Sequence, residues 1–151
     1  MKAKDIMSKD VVTVKKDATV EEIAHVLTDK NISGVPVVDE ENRVIGIVTE
    51  KDMLYKNVKP HFPPVVEILG GLIFLKGVKK YNDELKKLVA TKAEEIMTKE
   101  VFTVDEDYDI DNIATLMVEK DIKRIPVVKD SKLTGIISRA DILKYIAKSM
   151  D

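Results

Sequence analysis

The sequence predicts an α/β fold made of two copies of one β-α-β-β-α plan, and three observations predict it. Shifted by 90 positions, "AKDIMSKDVVTV" (Ala3–Val14) lies over "AEEIMTKEVFTV" (Ala93–Val104), and "EEIAHVLTDKNISGVPVV" (Glu21–Val38) over "DNIATLMVEKDIKRIPVV" (Asp111–Val128). Within each copy the apolar residues change from helical spacing to a continuous β-branched run. Short polar turns, "EEN" and "DS", then lead into a second β-rich run, "RVIGIVT" or "KLTGIIS".

The elements follow in order. A short strand is expected to end at Thr13-Val14, and its counterpart at Thr103-Val104. In the first helix Thr19 and Glu22 have capping-box spacing, and Val20, Ile23, Ala24, Val26 and Leu27 form an apolar stripe. The second copy repeats the stripe at Ile110, Ile113, Ala114, Leu116 and Met117. The next strand is "VPVVD" or "IPVVK", whose proline brings no amide donor to the strand's beginning. A last helix starts at the hydroxyl residue, Thr49 or Ser138. A single copy would leave much of its sheet uncovered. Two copies packed sheet to sheet about a pseudo-twofold axis solve that problem. The expected boundaries are 1–57 for the first copy, 58–91 for a helical insertion and 92–151 for the second.

Composition narrows the function. The 151 residues are 44% hydrophobic and 34% charged, with 25 basic and 27 acidic side chains, a net charge of -2. No global positive field exists to gather nucleic acid or acidic lipid. Cysteine is absent, which removes disulfides and thiolate chemistry and suits a reducing, cytoplasmic setting. The N-terminus "MKAKDIMSKD" has no apolar run of the secretory kind, and the most apolar stretch, "VVEILGGLIFL", falls well short of the roughly twenty residues of a membrane span. Neither histidine, His25 or His61, has a companion that would complete a metal site. No catalytic residue and no cofactor are expected.

One phrase occurs twice: "GIVTEKD" at Gly46–Asp52 and "GIISRAD" at Gly135–Asp141. Thr49-x-x-Asp52 and Ser138-x-x-Asp141 have the spacing of a helix N-terminal capping box. The same geometry suits a ligand. Free amides at a helix start favour an anion, the hydroxyl would donate to phosphate, and the carboxylate would accept from ribose hydroxyls. Gly46 and Gly135 leave room for a ring or a backbone to approach. Local chemistry leaves both readings open. Duplicated, equivalent acids point to two binding sites rather than one catalytic pair.

The "IM" opening, the T-V strand, the "h-P-V-V" strand (h, apolar) and the "G-h-h-[TS]-x-x-D" close, in tandem, resemble the CBS domain pair, or Bateman module. The resemblance covers both copies. It implies a disc-like regulatory module that binds an adenosine-containing ligand (AMP, ADP, ATP or S-adenosylmethionine) in clefts between the copies. It also implies a homodimer and a target protein. Carried over, Thr49 and Asp52 serve one cleft, Ser138 and Asp141 the other. Arg124, just before Ile125-Pro126, matches a position that reaches phosphate, and a guanidinium is well shaped for it. The first copy has Gly34 there, so the two sites are expected to be unequal. Thr13 and Thr103, with Val35-Pro36 and Ile125-Pro126, would wall the adenine, although plain sheet core explains them as well. Arg139 and Lys51, just past the hydroxyls, are further phosphate candidates.

In the insertion, Leu72, Leu75, Val78, Tyr81, Leu85 and Leu88 recur near helical period, predicting one or two helices. That stripe either packs on its own module or meets a partner. Two alternatives to ligand sensing are an interaction module with vestigial clefts, and a nucleic-acid regulator using Lys76, Lys79, Lys80, Lys86 and Lys87. The charge balance disfavours the second.

Overall fold

The computed structural model describes residues 1–55, 65–68, 71–74 and 90–150. The first copy runs α1 (Ala3–Ile6), β1 (Val14–Lys15), α2 (Val20–Asp29), β2 (Gly34–Val38), β3 (Val44–Thr49) and α3 (Glu50–Leu54). The insertion contributes β4 (Val65–Ile68) and β5 (Gly71–Phe74). The second copy runs α4 (Ala93–Ile96), β6 (Val104–Asp105), α5 (Ile110–Glu119), β7 (Arg124–Lys129), β8 (Lys132–Ser138) and α6 (Arg139–Ser149). The three-stranded sheets have the orders β1-β2-β3 and β6-β7-β8, which is the expected mixed α/β plan written twice.

Local sequence accounts for the element ends. Thr19 caps α2 as its spacing predicted: its hydroxyl accepts from Glu22 N at 3.1 Å, and Glu22 Oε2 accepts from Thr19 N at 2.9 Å. Asn31 (φ 51°) and Asp121 (φ 50°) end α2 and α5 in the left-handed region. Beyond them Ile32 N donates to Leu27 O and Ile122 N to Met117 O, both at 3.0 Å, the long bond of a Schellman motif. Each turn thus folds an isoleucine back against its helix and aims the chain into β2 or β7.

β1 and β6 begin at Val14 and Val104, whereas the sequence suggested that they end there. Val11 N donates to Lys9 O and Val101 N to Lys99 O, so a tight turn occupies the residues upstream. Only after it can the chain straighten and pair in parallel, Val14 with Val37 and Val104 with Val127. β7 and β8 pair antiparallel, with Ile125 opposite Ile137 and Pro126 opposite Ile136. Ile136 exchanges both its backbone hydrogen bonds with Ser8, at 2.9 and 3.0 Å. Its N–H and C=O therefore point away from Pro126, and the proline forfeits no ladder bond to β8.

In the insertion, Val65–Ile68 pairs antiparallel with Gly71–Phe74. The stripe expected to be helical from Leu72 thus starts as extended strand, as the β-branched and aromatic residues of "VVEI" and "GLIF" favour. Leu75, Val78, Tyr81, Leu85, Leu88, His61 and the lysines at 76, 79, 80, 86 and 87 lie outside the described residues.

The chain divides into two compact units, and these are not the copies taken singly. Unit 1 is Met1–Lys15, Pro36–Ile47 and Lys99–Asp151; unit 2 is Lys16–Val35 and Val48–Thr98. The leader of each copy has joined the other. In unit 1, Ala3, Val104, Ile110, Ile113, Met117, Ile125, Val127, Ile137 and Ile142 form one buried cluster, with Ile6, Met7 and Tyr145 packed against it. In unit 2, Ile23, Leu27, Val35, Val48, Ala93 and Ile96 are buried.

Candidate functional site

Both repeated phrases close as capping boxes. In unit 2, Asp52 Oδ2 accepts from Thr49 N at 2.9 Å and from Thr49 Oγ1 at 3.1 Å, while Thr49 Oγ1 accepts from Asp52 N at 3.4 Å. In unit 1, Asp141 Oδ2 accepts from Ser138 N at 2.8 Å and from Ser138 Oγ at 2.7 Å, with the return bond at 3.3 Å. The helix that follows is anchored from behind, Glu50 N to Ser33 O and Arg139 N to Lys123 O, each 3.0 Å. The boxes are therefore held in place by the turns that end α2 and α5. Removing such a cap costs about 1 kcal/mol.

The carboxylates differ in setting. Asp52 is 4% exposed. Asp141 is half-buried and lines a groove in unit 1 with Met1, Asp5, Ile6, Lys144 and Tyr145. Both bonds Asp141 accepts fall on Oδ2, so Oδ1 keeps its lone pairs for another donor. A groove in unit 2 is lined by Ala24, Leu27, Ile32, Ser33, Glu50 and Leu54, among others, and holds neither Thr49 nor Asp52.

Arg124 is half-buried on β7 directly opposite Ser138 on β8, so the strand register brings the guanidinium-bearing residue to the hydroxyl–carboxylate box. Ile125 and Pro126 follow Arg124 on β7. Thr103 and Thr13 stand one residue before the paired Val104 and Val14, level with Pro126 and Pro36. Thr103 is exposed and Thr13 half-buried, whereas Val35, Pro36, Ile125 and Pro126 are fully buried and line neither groove. Arg139 is turned back on the loop before β7, its Nε donating to Ile122 O at 3.0 Å and its Nη2 to Asp121 Oδ1 at 3.1 Å. Lys51 is exposed on the first turn of α3. His25 is exposed on α2. Among the described residues no three His, Cys, Asp or Glu side chains gather as a metal site, and no helix is long and apolar enough to cross a membrane.

Gly135 has a neighbour that the repeat did not reveal. A Cβ there would meet the Met7 side chain, 2.7 Å from its Cγ and 3.0 Å from its Cβ. The leader, not a ligand ring, uses the space that glycine leaves. Lys2 Nζ binds Asp109 at 2.9 Å and Lys4 Nζ binds Asp107 at 2.6 Å, fastening the same leader to the loop before α5. These hydrogen-bonded ammonium groups hold the Asp107 and Asp109 carboxyls below the usual aspartate range, and Asp107 raises Lys4 in turn. Asp5, Ile6, Lys144 and Tyr145 were not singled out from sequence. The i+3 and i+4 positions after Asp141 could have suggested the last two, but the leader comes from the other copy and carries no such signal.

Comparison with known proteins identifies the family. The family model of the CBS domain matches residues 3–59 and 93–148. Protein MJ1426 of Methanocaldococcus jannaschii is 31% identical over 155 residues, covering 97% of this chain and 91% of that protein. The inosine-5'-monophosphate dehydrogenase of the same organism is 34% identical across 95% of this chain, which spans only 23% of that enzyme. Among solved structures, the CBS domain pair of protein MJ0100 in complex with 5'-methylthioadenosine and S-adenosyl-L-methionine aligns with TM-score 0.73 and 27% identity, over 99% of this chain and 98% of that one. CBSX2 in complex with AMP aligns with TM-score 0.82 at 22% identity over 97% of each chain, a likeness of fold. With its motif set present twice and both copies matched, the chain belongs to the CBS domain family.

Proposed function

We propose that the protein is a regulatory module that senses an adenine nucleotide or adenosyl compound, bound where its two copies meet. The observation that carries this reading is the Ser138–Asp141 box with Arg124 set opposite it. The Asp141 carboxylate keeps an acceptor for ribose hydroxyls, and the amides and hydroxyl at the start of α6 stand beside a cation able to take a phosphate. The solved MJ0100 pair, with its two adenosyl ligands, supports the ligand class.

The two sites are unequal in this proposal. The Ser138 site, with Arg124, takes a phosphorylated ligand such as AMP, ADP or ATP. The Thr49 site, whose copy has Gly34 in place of that arginine, takes a less charged one such as S-adenosylmethionine. Thr13 and Thr103 wall the adenine, with the buried Val35, Pro36, Ile125 and Pro126 backing them from the core, and Lys51 supplements the charge of the Thr49 site. Arg139, engaged with Asp121, serves chiefly to anchor α6. The role is regulatory rather than catalytic, in the cytoplasm, with ligand binding biasing the surface offered to a target protein. A homodimer is supported by equivalent exposed leucines, Leu54 at 62% and Leu143 at 66%, on matching helices of the two copies. Sedimentation tests the dimer.

Isothermal titration calorimetry with AMP, ADP, ATP and S-adenosylmethionine tests the ligand. Binding of at least one, lost on Asp141→Ala or Asp52→Ala in a folded protein, is expected. No heat from any of the four ends the proposal.

A further inference from the structure

The two leaders dock by the same backbone bonds but are fastened differently. In unit 1, Ala3 N donates to Tyr108 O at 2.8 Å and Lys4 N to Glu106 O at 3.0 Å. In unit 2 the counterparts are Ala93 N to Ala18 O at 2.8 Å and Glu94 N to Lys16 O at 2.9 Å. Equal backbone geometry makes the side chains comparable position by position. Lys4 meets Asp107 and Lys2 meets Asp109. At the matching places unit 2 has Glu94 with Asp17 and Lys92 with Thr19, and among the described residues neither forms an ion pair. Among the described residues, only the first leader is fastened by side-chain ion pairs.

That leader is also a wall. Met1, Asp5 and Ile6 line the groove that holds Asp141, Lys144 and Tyr145. Its far end is pinned by Met7 over Gly135 and by the paired bonds of Ser8 with Ile136. The near end depends on Lys2 and Lys4, whose ion pairs are exposed, with side chains 43–69% accessible. Exposed pairs of this kind respond to ionic strength, because salt screens them.

We infer that residues Met1–Ser8 form an ion-fastened strap along the Asp141 groove, so that loosening its Lys2 and Lys4 pairs alters that groove while the second leader is unaffected. The strap stands on geometry alone; its effect on ligand rests on the function proposed above.

Amide hydrogen exchange on the full-length chain separates the two. Raising salt from about 20 mM to about 0.5 M should reduce protection of the Ala3 and Lys4 amides about two- to fivefold. The Ala93 and Glu94 amides should hold steady. Lys4→Glu at low salt should mimic the salt effect, and the charge swap Lys4→Glu with Asp107→Lys should restore protection. Unchanged Ile113 and Ile137 amides certify the fold, and Lys2→Gln serves if Lys4→Glu fails to fold. Strap amides indifferent to both salt and charge reversal would overturn the inference. Titration with AMP forms the second arm: Lys4→Glu should weaken binding by a similar factor. If the native chain binds no AMP, the ligand reading fails while the exchange result still decides the strap. If AMP binds equally to native and Lys4→Glu chains, the strap has no hold on the groove and the inference is wrong.

Discussion

Replacing Gly135 with alanine should destabilise the protein, and replacing Met7 in the same chain should undo most of the damage. Gly135 is buried on β8, and a Cβ there would lie 2.7 Å from Met7 Cγ, closer than carbon atoms tolerate. The leader cannot retreat freely, because Ser8 is bonded in both directions to Ile136, the next residue on the strand. Overpacking of this kind costs about 1–3 kcal/mol. Alanine recovers about 0.4–1 kcal/mol through a less flexible unfolded chain. The net loss is therefore about 1–2 kcal/mol, a fall in Tm of about 2–8 °C for a chain of this size. Thermal and urea unfolding followed by circular dichroism measure it. Met7→Ala alone loses packing, but combined with Gly135→Ala it should prove more stable than the sum of the single effects by at least about 1 kcal/mol. Additivity within about 0.5 kcal/mol would mean that the two residues do not meet, and the docking of the leader on β8 would be wrong.

Three further outcomes are expected. Asn42, at φ 63°, donates from Nδ2 to Leu133 O at 3.0 Å and accepts from Leu133 N through its own carbonyl, so Asn42→Gly should lose about 0.5–1.5 kcal/mol in urea unfolding. Asn42→Ala should lose about 1 kcal/mol more, since alanine resists the left-handed region. Ser138→Ala should lower stability by about 1 kcal/mol through the lost cap and also weaken nucleotide binding, whereas Thr19→Ala, a cap of the same type away from the box, should lower stability alone. The Lys4 and Lys2 ammonium groups hold the Asp107 and Asp109 carboxyls below the ordinary aspartate range, so the stability they lend is present above that range and lost as pH falls through the folded values. Strap protection, corrected for intrinsic exchange, should thus be flat between about pH 5 and 9 and decline below about 4; a decline at neutral pH would contradict the assignment.

The fold was legible wherever a short-range rule decides the backbone. Thr19 and Glu22 announced α2, and the two hydroxyl–carboxylate pairs announced the starts of α3 and α6, because a capping box is complete within four residues. Strand ends were less legible. Nothing in "VVTV" says that a turn at Lys9–Val11 delays the strand until Val14, since that depends on where β2 lies. At the start of the insertion's stripe the period misled for a related reason: apolar residues around Gly70-Gly71 fit helical and extended periods alike, and Val65–Ile68 pairs with Gly71–Phe74.

The candidate site was legible as residue types and illegible as surroundings. Ser138, Asp141 and Arg124 stand out as candidates because each repeats or breaks a repeat, and the register sets Arg124 opposite Ser138. What the repeat concealed is that a copy is not a folding unit. Laid side by side, the copies invite each leader to be placed with the residues that follow it, and in that arrangement Lys4 would face Lys16 instead of Glu106, and Glu94 would face Glu106 instead of Lys16. The backbone bonds in fact run Lys4 to Glu106 and Glu94 to Lys16, opposite charges in both cases. The exchange of leaders thus brings residues of opposite charge together at these backbone bonds, and it forces both copies to be present before the Asp141 groove has its wall. A truncated second copy, 92–151 alone, would lack Met7 over Gly135 and both lysine pairs. Adding a synthetic peptide of residues 1–15 should restore native-like exchange at Ile136. A lone second copy that already protects Ile136 would show that the leader is dispensable, and the exchange would then be a consequence of chain connectivity rather than a requirement of the fold.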